Sequence, residues 1–172
     1  VKGDNATITY DASEKQVTVK VTRDGDALKA EVVYPENKTF TNAFTPNATT
    51  ATIELTKELT GRDLKDGEFS FELYEGANKL QTVTNKAGKV SFDAISYTAE
   101  GEHTYTVKEV KGDNATITYD ASEKQVTVKV TRDGGALKAE VVYPESKTFT
   151  NAFTPNATTA TIELDKKLTG RD

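Results

Sequence analysis

Along most of this chain hydrophobic and polar residues alternate with a period of two, the spacing that puts successive side chains on opposite faces of a strand. Glu68-Phe69-Ser70-Phe71-Glu72-Leu73 and Gln125-Val126-Thr127-Val128-Lys129-Val130-Thr131 are the cleanest runs. Similar runs occur at 52–59, 80–84, 90–95, 103–110, 116–119, 137–143 and 147–153. Turn residues separate them: Gly61 to Gly67, Gly76-Ala77-Asn78, Asn85-Lys86-Ala87-Gly88, Asp120-Ala121-Ser122-Glu123 and Asp133-Gly134-Gly135. The pattern predicts about nine short strands in the middle of the chain, no helix, and an all-β antiparallel sandwich.

A long internal repeat sets the organisation. Val1-Lys2-Gly3-Asp4-Asn5 returns as Val110-Lys111-Gly112-Asp113-Asn114, and the copy continues through Asp63 and Asp172. The differences are Asp26 to Gly135, Asn37 to Ser146, Thr56 to Asp165 and Glu58 to Lys167. The polar, proline-containing stretch Thr45-Pro46-Asn47-Ala48-Thr49-Thr50 is the natural boundary between modules. Residues 47–155 are then one complete repeat, 1–46 the C-terminal half of a preceding repeat, and 156–172 the first strand of the next.

Three strands break their own pattern. In Thr52-Ile53-Glu54-Leu55-Thr56-Lys57-Glu58-Leu59, the face of Ile53, Leu55 and Leu59 also contains Lys57. The Tyr105/Val107 face continues to Glu109, and the Phe149/Phe153 face contains Asn151. A core-facing lysine is costly: neutral at pH 7, its pKa has dropped from about 10.4 by three units, about 4 kcal/mol. Taken one at a time, such residues are strand ends snorkelling out of a sheet. An amine, an acid and an amide on three core faces are together the ingredients of amide exchange.

Composition narrows the setting. The chain has no Cys, Met or Trp, so no disulfide holds it together. A formal net charge of −5 argues against nucleic acid or an anionic membrane surface as partner. No hydrophobic run is long enough for a membrane span or signal peptide. The setting is then either cytosolic or, the preferred expectation, an internal slice of a larger secreted protein.

The chain resembles a streptococcal-type pilin isopeptide-linkage domain, the stalk repeat of Gram-positive pilins and surface proteins related to collagen-adhesin B-type modules. The resemblance rests on Leu55-Thr56-Lys57-Glu58-Leu59-Thr60-Gly61-Arg62-Asp63-Leu64, Gly67-Glu68-Phe69-Ser70-Phe71-Glu72-Leu73 and Tyr105-Thr106-Val107-Lys108-Glu109-Val110. Ile117-Thr118-Tyr119-Asp120 and Lys147-Thr148-Phe149-Thr150-Asn151 complete it. It implies an immunoglobulin-like sandwich in which Lys57 and Asn151 join through a self-formed isopeptide bond, with Glu109 as the assisting acid. Asn42 and Lys166 match the same motifs in the partial repeats. It also implies an extracellular, cell-wall-attached stalk whose partners are neighbouring repeats of the same protein, with any host ligand elsewhere. Such a module is not an enzyme, takes no cofactor, and forms its bond once.

Burial disfavours charge, so the Lys57 pKa is expected to fall and that of Glu109 to rise. A neutral amine is then the nucleophile, and protonated Glu109 is expected to hydrogen-bond the Asn151 side-chain carbonyl before passing a proton to the departing ammonia.

Other readings are open on the residues alone. The sandwich loops are those of an adhesive module recognising a host protein or glycan, and this is the alternative function. Asp24-Gly25-Asp26 looks like a fragment of a calcium loop, but it is short, and the other copy reads Asp133-Gly134-Gly135, so a turn is expected and no metal. His103 is expected on the surface, with no second His or Cys to share a metal. The sequons at Asn5, Asn37 and Asn47 matter only in a glycosylating host. Strand addition, with 156–172 of one chain completing the 1–46 half of another, is a further expectation.

Overall fold

The computed structural model describes residues 3–170; Val1, Lys2, Arg171 and Asp172 lie outside the described residues. The described residues are all-β, with no helix. The strands are β1 (Ile8–Thr9), β2 (Thr18–Asp24), β3 (Ala27–Val33), β4 (Ala43–Phe44) and β5 (Thr49–Ala51). They continue with β6 (Glu54–Thr60), β7 (Ser70–Glu75), β8 (Asn78–Thr84), β9 (Lys89–Ser91) and β10 (Ile95–Tyr97). The last are β11 (Gly101–Glu109), β12 (Ile117–Thr118), β13 (Glu123–Asp133), β14 (Ala136–Val142) and β15 (Thr148–Phe153). The middle of the chain was expected to hold about nine strands, but β5 to β15 are eleven. The excess consists of ladder pieces such as β5, β9, β10 and β12, each two or three residues long and too short to show an alternation.

The chain divides into two compact units. One is drawn from Val1–Thr50, Ser96–Gly101 and Val130–Glu140, the other from Ala51–Ile95, Glu102–Lys129 and Val141–Asp172. In the first unit β2 and β3 form a regular antiparallel hairpin from Thr18↔Val33 to Asp24↔Ala27. Gly25 turns it with φ of +64°, so Asp24-Gly25-Asp26 is a tight turn. β1 pairs with β4, and the Arg132 guanidinium lies 4.9 Å from the Phe44 ring centre.

The second unit holds the core. Its strands form a four-stranded sheet in the order β12-β15-β6-β9 and, facing it, the antiparallel neighbours β11-β7-β8. Phe71 of β7 meets Phe149 of β15 at 5.2 Å between ring centres, so side chains of the two sheets interlock. Most ladders are antiparallel, as expected, but β15 lies parallel to β6, with Phe149 opposite Lys57 and Asn151 opposite Leu59. Alternation shows which residues share a face and says nothing of which strands become neighbours. At the far end of this pair Gly61, with φ of +88°, lies so close to the Phe153 carbonyl that a Cβ would collide with it. Glycine therefore lets the C-terminal ends of β6 and β15 close together.

Residues 154–170 follow β15 without strand structure, and Ile162, Leu164 and Leu168 are exposed.

Candidate functional site

The parity of β6 places Ile53, Leu55 and Lys57 on one face, and all three are buried to 1% exposure. Lys57 is thus not a rim residue, and Glu54, Thr56 and Glu58 take the outer face. On β15 the same rule buries Phe149 and Asn151, both with no exposed surface. Glu109, the last residue of β11, pairs with Phe71 of β7, and its side chain is fully enclosed. The amine and the amide come from adjacent strands of one sheet, and the acid reaches them from the other.

Glu109 bridges its two partners. Lys57 Nζ donates to Glu109 Oε2 at 2.8 Å, and Asn151 Nδ2 donates to Glu109 Oε1 at 2.5 Å. The carbonyl oxygen of Asn151 accepts the backbone N–H of Asp120 at 2.7 Å. This corrects one expectation: Glu109 meets the nitrogen of the amide and not its carbonyl. The reason is local. A backbone N–H can only donate, so the Asn151 oxygen must face Asp120 and its NH₂ must face the acid.

Aromatic rings enclose the amine. Lys57 Nζ lies 4.6 Å from the Phe69 ring centre and 5.9 Å from that of Phe71. Burial pushes the Lys57 pKa below its ordinary 10.5, against the hydrogen bond it donates to Glu109, which favours the charged form. Burial and acid therefore pull in opposite directions, and desolvation is the larger.

Two residues not singled out from the sequence support this arrangement. Asp120 turns the chain after β12: its Oδ1 accepts the Ser122 N–H at 2.8 Å and its Oδ2 the Thr150 N–H at 2.9 Å. Burial alone would raise its pKa, but those hydrogen bonds outweigh it and leave the carboxyl below the usual carboxylate value. Asn85 is 1% exposed; its Oδ1 accepts the Phe69 N–H at 2.8 Å and its Nδ2 donates to the Lys65 carbonyl at 2.8 Å. It thereby fixes the backbone that carries the ring over Lys57. Both residues lie in polar segments where the alternation of a strand has ended, so no break of pattern marks them. The only hint is a short side-chain acceptor placed to cap nearby N–H groups.

The residues that match the same motifs elsewhere in the chain are placed differently. Asn42 is exposed, yet its Oδ1 accepts the Asp11 N–H at 3.0 Å. Lys166 is exposed, in the segment without strand structure. His103 is half-buried, with Nδ1 3.1 Å from Glu75 Oε1. Among the described residues no cluster of His, Cys, Asp or Glu could hold a metal ion.

No curated protein matches the chain. A family model described as FctA, Spy0128-like isopeptide containing domain, matches residues 1–45 and 53–154, which include Lys57, Glu109 and Asn151. Its match covers most of the length. The chain therefore belongs to the FctA family of Spy0128-like isopeptide-containing domains, a pilin-type surface module and not a family of turnover enzymes.

Proposed function

We propose that this chain is a stalk or spacer segment of a Gram-positive surface protein, made resistant to stretching by a self-formed Lys57–Asn151 isopeptide bond that Glu109 assists. The observation that carries the proposal is the two-sided grip of Glu109, with the lysine amine on one oxygen and the leaving nitrogen of Asn151 on the other. Folding holds the reactants together, so an encounter between separate groups becomes a local step.

Glu109 takes a proton from the Lys57 ammonium, which burial already disfavours. The neutral amine attacks Asn151 Cγ, and Glu109 passes the proton to Nδ2 as the C–N bond breaks and ammonia leaves. The attacking nitrogen then gives up one proton to Glu109 and keeps the last on the new amide. Each module reacts once and is consumed.

The bond would tie β6, near the start of the repeat, to β15, its last strand. Pulling on the module ends would load a covalent link running between adjacent parallel strands, which cannot be unzipped one hydrogen bond at a time. Neighbouring repeats of the same protein are the partners this reading assigns. Intact mass tests it. The folded chain should weigh one ammonia less than its sequence, and Glu109→Ala should keep the full mass; a wild-type chain at full mass would sink the proposal.

A further inference from the structure

We infer that the backbone N–H of Asp120 is an oxyanion donor for bond formation, and that the Asp120 carboxylate positions it. The inference rests on the crosslinking reading above and assigns the stabiliser of its transition state. When the Lys57 amine adds to Asn151 Cγ, the carbonyl π electrons move onto Oδ1, and that oxygen becomes the site of negative charge. Glu109 is turned toward Nδ2 and cannot stabilise it. The group that meets Oδ1 is the Asp120 N–H at 2.7 Å, within the range at which a fixed donor stabilises a developing oxyanion. Asn151 has no exposed surface, so water does not compete for this oxygen. When the intermediate collapses, the electron pair returns to the carbonyl, the C–Nδ2 bond breaks, and the nitrogen departs as ammonia with the proton from Glu109.

The donor is held from both sides. Asp120 Oδ1 grips the Ser122 N–H ahead of it in the turn, and Oδ2 grips the Thr150 N–H, one residue before the reacting Asn151. The carboxylate thus ties the turn that carries the donor to the strand that carries the acceptor.

The other copy of the sequence supplies an independent observation. There Asp11 N–H donates to Asn42 Oδ1 at 3.0 Å, Asp11 Oδ2 accepts the Thr41 N–H at 2.9 Å, and Asp11 Oδ1 accepts the Ser13 N–H at 2.8 Å. The same clamp forms around an exposed asparagine. It is therefore built by the turn and its strand alone, and needs neither the amine nor the acid to assemble. A donor that precedes its reaction is the preorganisation an oxyanion site requires.

The test has two arms. Chains synthesised in vitro and quenched in acid at intervals give the rate of ammonia loss by intact mass. Loosening one fixed donor should slow Asp120→Ala at least about tenfold, against the roughly 10²–10³-fold typical of complete removal of an oxyanion donor. Asp120→Asn, which keeps one acceptor oxygen, should recover part of the rate. The unreactive Lys57→Met chain, whose Asn151 stays a free amide, should show scalar coupling across the hydrogen bond between Asp120 ¹⁵N and Asn151 ¹³Cγ. In that same background Asp120→Ala should leave the circular dichroism spectrum unchanged, which separates loss of rate from loss of fold. Closure of Asp120→Ala at the wild-type rate, or absence of the coupling, overturns this inference and leaves the crosslink reading standing. A wild-type chain that never loses ammonia overturns both.

Discussion

The two copies of one sequence fold into the same local pieces and differ in what covers them. β3 and β14 occupy equivalent positions, the Asp11 and Asp120 clamps have the same hydrogen bonds, and Asn5 and Asn114 cap the same turns. Yet Val19 is 55% exposed where its counterpart Val128 is fully buried, and Leu28 is 75% exposed where Leu137 is 6%. The asparagine strand shows the consequence. β15 runs from Thr148 to Phe153 because β6 lies alongside it, whereas the described equivalent, β4, is only Ala43–Phe44. Hairpins and side-chain caps need only their own sequence. Burial of the apolar face, and with it enclosure of the asparagine, needs the strands that carry the lysine and the acid.

The comparison can be broken most directly at the proposed bond. Asn151→Ala should lose about 4 to 5 kcal/mol, because the crosslink between Lys57 and Asn151 closes a loop near 100 residues. Asn42→Ala should lose almost nothing, and urea unfolding followed on both variants reads the contrast.

Next in size is the core ring. Phe149→Ala should cost about 3 to 5 kcal/mol, whereas Phe40→Ala, at the equivalent but exposed position of the other copy, should stay within about 0.5 kcal/mol. Equal losses at both positions would show that the first copy buries its ring in solution.

Smaller effects are expected from titration. The Ser13 side chain, with the Ser13 and Thr41 N–H groups, holds the Asp11 carboxyl down at about 2 from 3.8. A depressed carboxyl stabilises the folded form above its unfolded pKa and loses that contribution as pH falls through the folded one. The Ser13 and Thr41 amide resonances should therefore shift together near pH 2, and a midpoint at the ordinary 3.8 would refute the clamp in the first copy. For Lys57 the unreacted Asn151→Ala chain is the one to use. Its folded pKa lies below 10.5, so between the two values the unfolded chain binds a proton that the folded chain does not. Stability should rise with pH across that window and fall on acidification through the folded pKa; a urea midpoint independent of pH would contradict it.

Much of this was legible from the chain. Alternation alone put Lys57, Glu109 and Asn151 on core faces, because a period of two assigns each side chain to a side whatever the strand's partner. The repeat was equally plain, since identity of sequence needs no fold to be seen. The parallel pairing of β6 with β15 was not legible, nor was the orientation of the Asn151 amide, nor the part played by Asp120 and Asn85. Each depends on which groups meet across more than 15 residues of chain, such as the Asp120 N–H and Asn151 Oδ1, 31 positions apart. Sequence determined which side chains face inward, since that is set by backbone geometry from one residue to the next. Only the tertiary structure decided which of them touch, because the direction of a hydrogen bond follows from the donors that other strands bring to it.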